Sequence, residues 1–246
     1  MPGTQESPTI TLAGKVVLVT GGVRGVGAGI TTVFRRSGAT VVTCARHEAA
    51  DPDFVKADIR NAGDVRRLID SIVDRHDRLD ILINNAGGAP PAQADRASPR
   101  FHQAIVELNL LAPLLVSQAA NKIMQAQAEG GAIVMISSVS GRRPSPGTAA
   151  YGAAKAGLDN LTASLAVEWA PKVRVNSLAV GMVRTESSAL HYADIERIEA
   201  TVPLGRLADP TEVGTCALFL ASPLASYVTG ATLAVHGGGE RPAFLP

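Results

Sequence analysis

Residues 15–27, KVVLVTGGVRGVG, decide the fold of this 246-residue chain. A β-branched run, Lys15–Thr20, ends in a glycine-rich turn, and a helical stretch, Val26–Ser37, follows at once. A strand that feeds a helix through so short a turn opens a βαβ unit. Gly21, Gly25 and Gly27 let the backbone turn sharply and come close to a pyrophosphate, whose charge is favoured by the free N–H groups of a helix start. The spacing is G-x-x-x-G-x-G rather than G-x-G-x-x-G. No Lys-Ser/Thr pair follows the last glycine, so the loop is not a P-loop. At this point a bare turn without a ligand stays open beside the dinucleotide reading.

Working outward, short β-branched runs alternate with longer helical stretches. Strands are predicted at Lys15–Thr20, Thr40–Cys44, Phe54–Ala57, Ile81–Asn84, Ala132–Ser137, Val173–Ser177 and Ala231–Val235. Helices are predicted at Val26–Ser37, Ala62–Arg75, Arg100–Ala128, Ala149–Ala170 and Pro210–Ala221. The strand runs are mostly apolar without alternation, as in strands covered on both faces. Val65, Leu68, Ile69 and Ile72 recur at three and four, which marks one buried helix face. Together these features predict the α/β class, a doubly wound parallel sheet with helices on both faces. No repeat or composition break marks a second domain. The expected organisation is a short lead over residues 1–11, one domain over 12–246, and an insertion-like stretch at Arg184–Asp209.

Composition narrows the function classes. Hydrophobic residues make up 46% and charged residues 18% of the chain, which argues against disorder. With 23 Lys+Arg against 22 Asp+Glu, the net charge of +1 offers no basic excess for nucleic acid or an anionic membrane. The longest apolar run, Leu108–Ala120, is interrupted by Asn109, Pro113, Ser117 and Gln118 and reads as a buried helix. Met1–Ala13 has no basic residue ahead of an apolar stretch, so it does not read as a secretory signal. Cys44 and Cys216 are then expected as reduced, buried thiols in a cytoplasmic protein. His47, His76, His102, His191 and His236 show no metal-ligand spacing, and no metal is expected.

The charge after the second strand bears on which dinucleotide would bind. An acid there would hold the ribose 2′-hydroxyl of NAD. The chain instead reads Cys44-Ala45-Arg46, with no acid before Glu48. A guanidinium can bind a 2′-phosphate bidentately where a carboxylate would repel it. Arg24 inside the glycine loop can add a second cation. NADP(H) is therefore the preferred cofactor, with NAD(H) as the alternative and two solvated surface arginines as the bland reading.

Tyr151 and Lys155 stand four apart in a helical stretch, so they share a face. A phenol with a pKa of ~10 is a poor acid–base group at neutral pH, and a nearby ammonium lowers that value. Ser138 lies at the carboxyl end of a predicted strand, where open α/β sheets place ligands. Its hydroxyl can hydrogen-bond a substrate oxygen on which charge develops. Ser137 should face the other way and serve structure. Arg142 and Arg143 could attract an anionic substrate group, although a solvated surface pair is the simpler reading. His191-Tyr192 could touch substrate or sit on an exposed helix face.

The glycine loop, Asn84-Asn85-Ala86-Gly87, Ser138 thirteen residues before Tyr151, and Lys155 four after it together resemble the short-chain dehydrogenase/reductase family, from about Leu12 to Gly239. The resemblance implies a seven-stranded Rossmann-type sheet, a nicotinamide cofactor and hydride exchange between an alcohol and a ketone. It casts Tyr151 as general acid/base, Ser138 as the group that polarises the carbonyl, Lys155 as holder of the nicotinamide ribose, and Asn109 as part of a water relay. It places the cofactor against Gly21, Arg24, Gly25, Val26 and Gly27, against Arg46, Asp58 and Ile59, and against Asn85, Ala86, Gly87, Val183 and Thr185. The family usually carries Pro-Gly after the sixth strand, where this chain has Val180-Gly181. Similarity to 3-oxoacyl reductases and to steroid or secondary-alcohol dehydrogenases leaves the substrate open, with the apolar segments Gly88–Ala94, Ser140–Gly147 and Met182–Pro203 favouring an apolar one. A homotetramer built through the two long helices is implied by the family alone. A cofactor-binding sensor or scaffold without turnover is the competing class.

Overall fold

The computed structural model of the chain describes residues 10–186 and 194–239. Most of the expected lead, and the pair His191-Tyr192, lie outside those residues.

Strand β1 (Val16–Thr20) leads through the glycine loop into α1 (Gly25–Arg36), followed by β2 (Thr40–Ala45), β3 (Phe54–Lys56), α2 (Ala62–His76) and β4 (Ile81–Asn84). Then come α3 (Pro99–Val106), a π-helical turn (Glu107–Leu111), α4 (Ala112–Ala126) and β5 (Gly131–Ser138). The rest is α5 (Ala149–Trp169), β6 (Val173–Val180), a short α6 (Ile195–Glu199), α7 (Pro210–Ala221) and β7 (Thr232–Val235). The seven strands form one sheet in the order β3-β2-β1-β4-β5-β6-β7, and every pairing is parallel. This is the predicted doubly wound architecture.

Alternation along β1 shows why its run is apolar throughout. Val16 and Leu18 join Val65 and Leu68 of α2, Val116 and Met124 of α4 and Leu158 of α5 in one core layer. Val17 and Val19 join Ile30 and Phe34 of α1 and Val213 and Ala217 of α7 in the other. Successive side chains point to opposite faces, so a strand covered on both must be apolar at every position. The helices α1 and α7 cross closely at Gly29, where a Cβ would fall 2.4 Å from Pro210.

Three expectations need correction. The strand expected to stop at Ser177 runs on to Val180, which pairs with Ser138 on one side and Val235 on the other. Valine can continue the ladder where proline, with no N–H, would weaken it. The helix expected over Arg100–Ala128 is a continuous run, Pro99–Ala126, but a π turn interrupts it. That run is long and apolar enough, by length and composition alone, to cross a membrane, and its Val116, Ala120 and Met124 are fully buried in the core. Of the two unpaired cysteines, Cys44 is buried, with its thiol pushed up to about 12 by that burial, but Cys216 is only half-buried.

The π turn has a local cause. Pro113 lacks the N–H that the carbonyl of residue 109 would accept in an α-helix, and its ring crowds that carbonyl. The chain widens by one residue here, so that the Ala112 N–H donates to the Glu107 carbonyl five residues back. Such turns recur at functional sites.

Candidate active site

The strand order reverses between β1 and β4, and a crevice opens beyond their carboxyl ends, where doubly wound sheets bind ligands. Thr20 and Asn85 set its floor. The Thr20 hydroxyl accepts the N–H groups of Asn85 (3.0 Å) and Ala86 (3.1 Å), while the Asn85 amide donates to the carbonyls of Thr20 (2.9 Å) and Gly21 (3.1 Å). Gly21 turns with φ +63°, and at Gly27 a Cβ would stand 2.1 Å from the Gly21 carbonyl oxygen. Only glycine permits this closure.

The loop is suited to an anion. No side chain caps α1 at Arg24, and its first turn, with Val26, carries no acid. The N–H groups at the helix start are therefore open to a phosphate. Thr185 stands over the loop, with its methyl 3.5 Å from where a Gly25 Cβ would be. Neighbouring Val183 is buried and bridges to Ala208, which ties together two ends of the insertion-like stretch.

Along the same edge, Arg24 and Arg46 are exposed. Asp58 receives a two-pronged ion pair from Arg60, Nε to Oδ1 at 2.9 Å and Nη2 to Oδ2 at 2.5 Å. Those hydrogen bonds hold its carboxyl below the usual range against partial burial, with the charges of Arg60 and Arg46 adding to the effect. Ile59 is buried in the α2-side core.

Lys155 is the centre of the second cluster. It is 3% exposed, and its ammonium donates to the Ile136 carbonyl at 2.7 Å and lies 5.6 Å from the Tyr151 ring centroid. That is its only hydrogen bond among the described residues, so two of its three N–H donors remain for a ligand. Burial pulls the ammonium down to about 8, while the charge of Asp159 opposes the shift. A Cβ on Gly87 would lie 3.5 Å from the Lys155 nitrogen and 2.7 Å from the Asn109 side-chain oxygen, so these three residues meet. The Asn109 amide clasps Gly88, accepting its N–H at 2.8 Å and donating to its carbonyl at 3.0 Å.

Ser138 ends β5 and accepts the Ser140 N–H at 3.2 Å. Ser137 is buried and donates to the Lys155 carbonyl at 3.3 Å, which anchors α5 to the strand. Beside Tyr151, a small cavity is lined by Ala89, Pro90 and Ala92, by Gly147–Ala150, and by Phe101, His102 and Ile105 of α3. A phenol over a buried ammonium, a serine hydroxyl at the same strand end and an apolar hollow beside them can bind a polarised carbonyl and move a proton to or from its oxygen.

The structure thus brings the predicted residues to the carboxyl ends of the strands and gives Arg142 and Arg143 partners within the protein. Arg142 pairs with Asp159 at 3.2 Å, and Arg143 donates to the Pro144 carbonyl at 3.1 Å. Sequence reasoning missed Arg60, Asp159 and the α3 wall of the cavity. Asp-x-Arg at 58–60 and Lys-x-x-x-Asp at 155–159 were visible signals for the first two. No group of three or more His, Cys, Asp or Glu able to hold a metal occurs among the described residues.

Comparison with known proteins agrees with this geometry. A family model described as enoyl-(acyl carrier protein) reductase matches residues 21–240. The chain is 35% identical over 244 residues to the 3-oxoacyl-(acyl-carrier-protein) reductase FabG of Chlamydia pneumoniae, covering 93% of this chain and 98% of that one. It is 37% identical over 246 residues to the 3alpha-hydroxysteroid dehydrogenase of Mediterraneibacter gnavus, with 93% and 98% covered. The ligand-free aldohexose dehydrogenase (AldT) of Thermoplasma acidophilum superposes with a TM-score of 0.90 at 29% identity, over 96% of this chain and 98% of that one.

Proposed function

The chain belongs to the short-chain dehydrogenase/reductase family and is an oxidoreductase of the alcohol–ketone type; from that premise we propose an NADP(H)-preferring enzyme acting on an apolar ketone or secondary alcohol. The reading is carried by Lys155, a buried ammonium under the Tyr151 ring with donors to spare.

A nicotinamide bound there would supply or take up the hydride. Tyr151 gives its proton to the substrate oxygen in reduction and takes it back in oxidation. Ser138 donates a hydrogen bond to that oxygen as charge develops. Lys155 holds the ribose hydroxyls and keeps the phenol acidic, and Asn109 belongs to a proton relay beside it. Gly21, Arg24, Gly25, Val26, Gly27 and Thr185 hold the pyrophosphate side. Asp58 and Ile59 would border the adenine, Asn85, Ala86 and Gly87 would flank the ribose, and Val183 would lie by the carboxamide. Arg46 would meet the 2′-phosphate, with Arg24 beside it.

The apolar lining beside Tyr151 favours an uncharged substrate, and the commitment of Arg142 to Asp159 disfavours recognition of an anionic group there. A 3-oxoacyl thioester and a steroid-like alcohol are both within this class. The substrate lid is assigned to the stretch 184–209, of which 187–193 lie outside the described residues, and the enzyme is assigned as a cytoplasmic homo-oligomer, a tetramer by analogy with its family. The test is NADPH oxidation against a panel of carbonyl compounds, with alcohols and NADP+ in reverse. Tyr151→Phe should lower turnover about 10³-fold with cofactor binding intact. Undiminished turnover in that variant, or NADPH binding without turnover of any compound, overturns the reading.

A further inference from the structure

Two acids share the neighbourhood of Arg46, and each has a cation of its own. Parallel pairing places Ala45 opposite Lys56, and the Ala57 N–H donates to the Ala45 carbonyl at 3.0 Å, so Arg46 and Asp58 leave the sheet side by side. Asp58 lies close enough to Arg46 for that charge to help hold its carboxyl down. Glu48, two residues beyond Arg46, pairs with Lys56 at 3.3 Å. Asp58 is taken by the fork of Arg60, which adds its own backbone N–H to Oδ1 at 3.1 Å. Arg46 itself makes no hydrogen bond or ion pair among the described residues.

We propose that Arg60 is a selectivity-determining residue, because by occupying Asp58 it leaves Arg46 uncommitted for the 2′-phosphate of NADP(H). The inference rests on the reading of Arg46 given above. Without Arg60, Asp58 presents an unneutralised carboxylate next to the phosphate subsite. That carboxylate repels the phosphate and competes with it for the Arg46 guanidinium. NAD(H), which has a hydroxyl in place of the phosphate, escapes both penalties. Arg60 therefore acts through Asp58 and touches no reacting atom.

Calorimetric titration of the enzyme with NADP+ and with NAD+ tests this without turnover. In the wild type NADP+ should bind more tightly. Arg60→Met should raise the NADP+ Kd about tenfold and change the NAD+ Kd by less than about twofold, in keeping with loss of one partly screened charge pair. Adding Asp58→Asn to Arg60→Met should return the ratio of the two Kd values to within about twofold of wild type. Any loss of an adenine contact at Asp58 is common to both cofactors and cancels in that ratio. Equal weakening of both cofactors in Arg60→Met would make Arg60 merely structural and overturn the inference, as would an unchanged ratio or a double variant that fails to restore it. A wild type that prefers NAD+ would instead remove the reading of Arg46 on which the inference stands.

Discussion

The two ends of the sheet treat polar groups in opposite ways. At the amino end, Asp80 is 6% exposed, yet it accepts Arg78 through Nε (2.8 Å) and Nη2 (2.6 Å) and the Val16 N–H (2.8 Å), with Lys15 at 3.4 Å. Lys15 and Arg78 also reach Glu129, and the Gln127 side chain joins Leu79 to Gly130. At the carboxyl end, a buried ammonium has one acceptor, the start of α1 has no cap, and Arg24 and Arg46 stand exposed. Both ends bury charge, but only the first satisfies it internally. The amino end holds the fold together, and the carboxyl end keeps its hydrogen-bonding capacity for a ligand.

The contrast can be broken most sharply at Lys155. Lys155→Met should lower turnover at saturating cofactor by about 10²–10³-fold, while the melting temperature should not fall, since a buried charge with a single acceptor is removed. The pH dependence follows from the sign of the shift. The folded value, about 8, lies below the ordinary lysine value of 10.5, so between the two the unfolded chain binds more protons than the folded one. Stability of the cofactor-free enzyme should therefore rise as pH climbs through that interval, by at most about 3 kcal/mol. Chemical denaturation of wild type and Lys155→Met in parallel should show the rise in the first only.

Asp80→Asn should do the reverse. It removes the buried carboxylate that gathers Arg78, Lys15 and the Val16 N–H, leaves the two half-exposed cations with Glu129 alone, and should cost about 2 kcal/mol in unfolding free energy, with turnover per folded molecule unchanged. Burial alone would raise the Asp80 carboxyl, but hydrogen bonds from Arg78 and the Val16 N–H, with the charge of Lys15, outweigh it and hold it below 3.8. Its contribution is thus complete above that value and is lost as pH falls through the lowered folded value. Acid titration of stability should show the loss in wild type and not in the variant. Pro113→Ala should have the smallest effect, about tenfold in turnover with stability changed by about 1 kcal/mol or less, because a restored N–H lets the helix close on residue 109. Unchanged kinetics would show that the π turn does not serve the site.

Most of the candidate site could be picked out along the chain because its determinants are local. Tyr151 and Lys155 are linked by helix geometry, and the glycine loop abuts the strand it follows. Ser138 needed only the end of its strand. The departures arose where one residue acts on another through space. Arg142 finds Asp159 across the turn between β5 and α5. Val180 extends its strand because neighbours on both sides offer a ladder. Arg60 could have solvated its guanidinium, and only the position of Asp58 turns it back.

The widened turn before α4 means that α3 and α4 do not follow one continuous register. Loss of a single codon between positions 105 and 113 would remove the extra residue that the turn accommodates, with the outer residues of both helices still packed against the sheet and Pro113 still lacking its N–H. Such a shortened chain should fold, yet its clasp on Gly88 would be gone. A gene could thus keep this architecture and alter the surroundings of Gly88 by one small deletion.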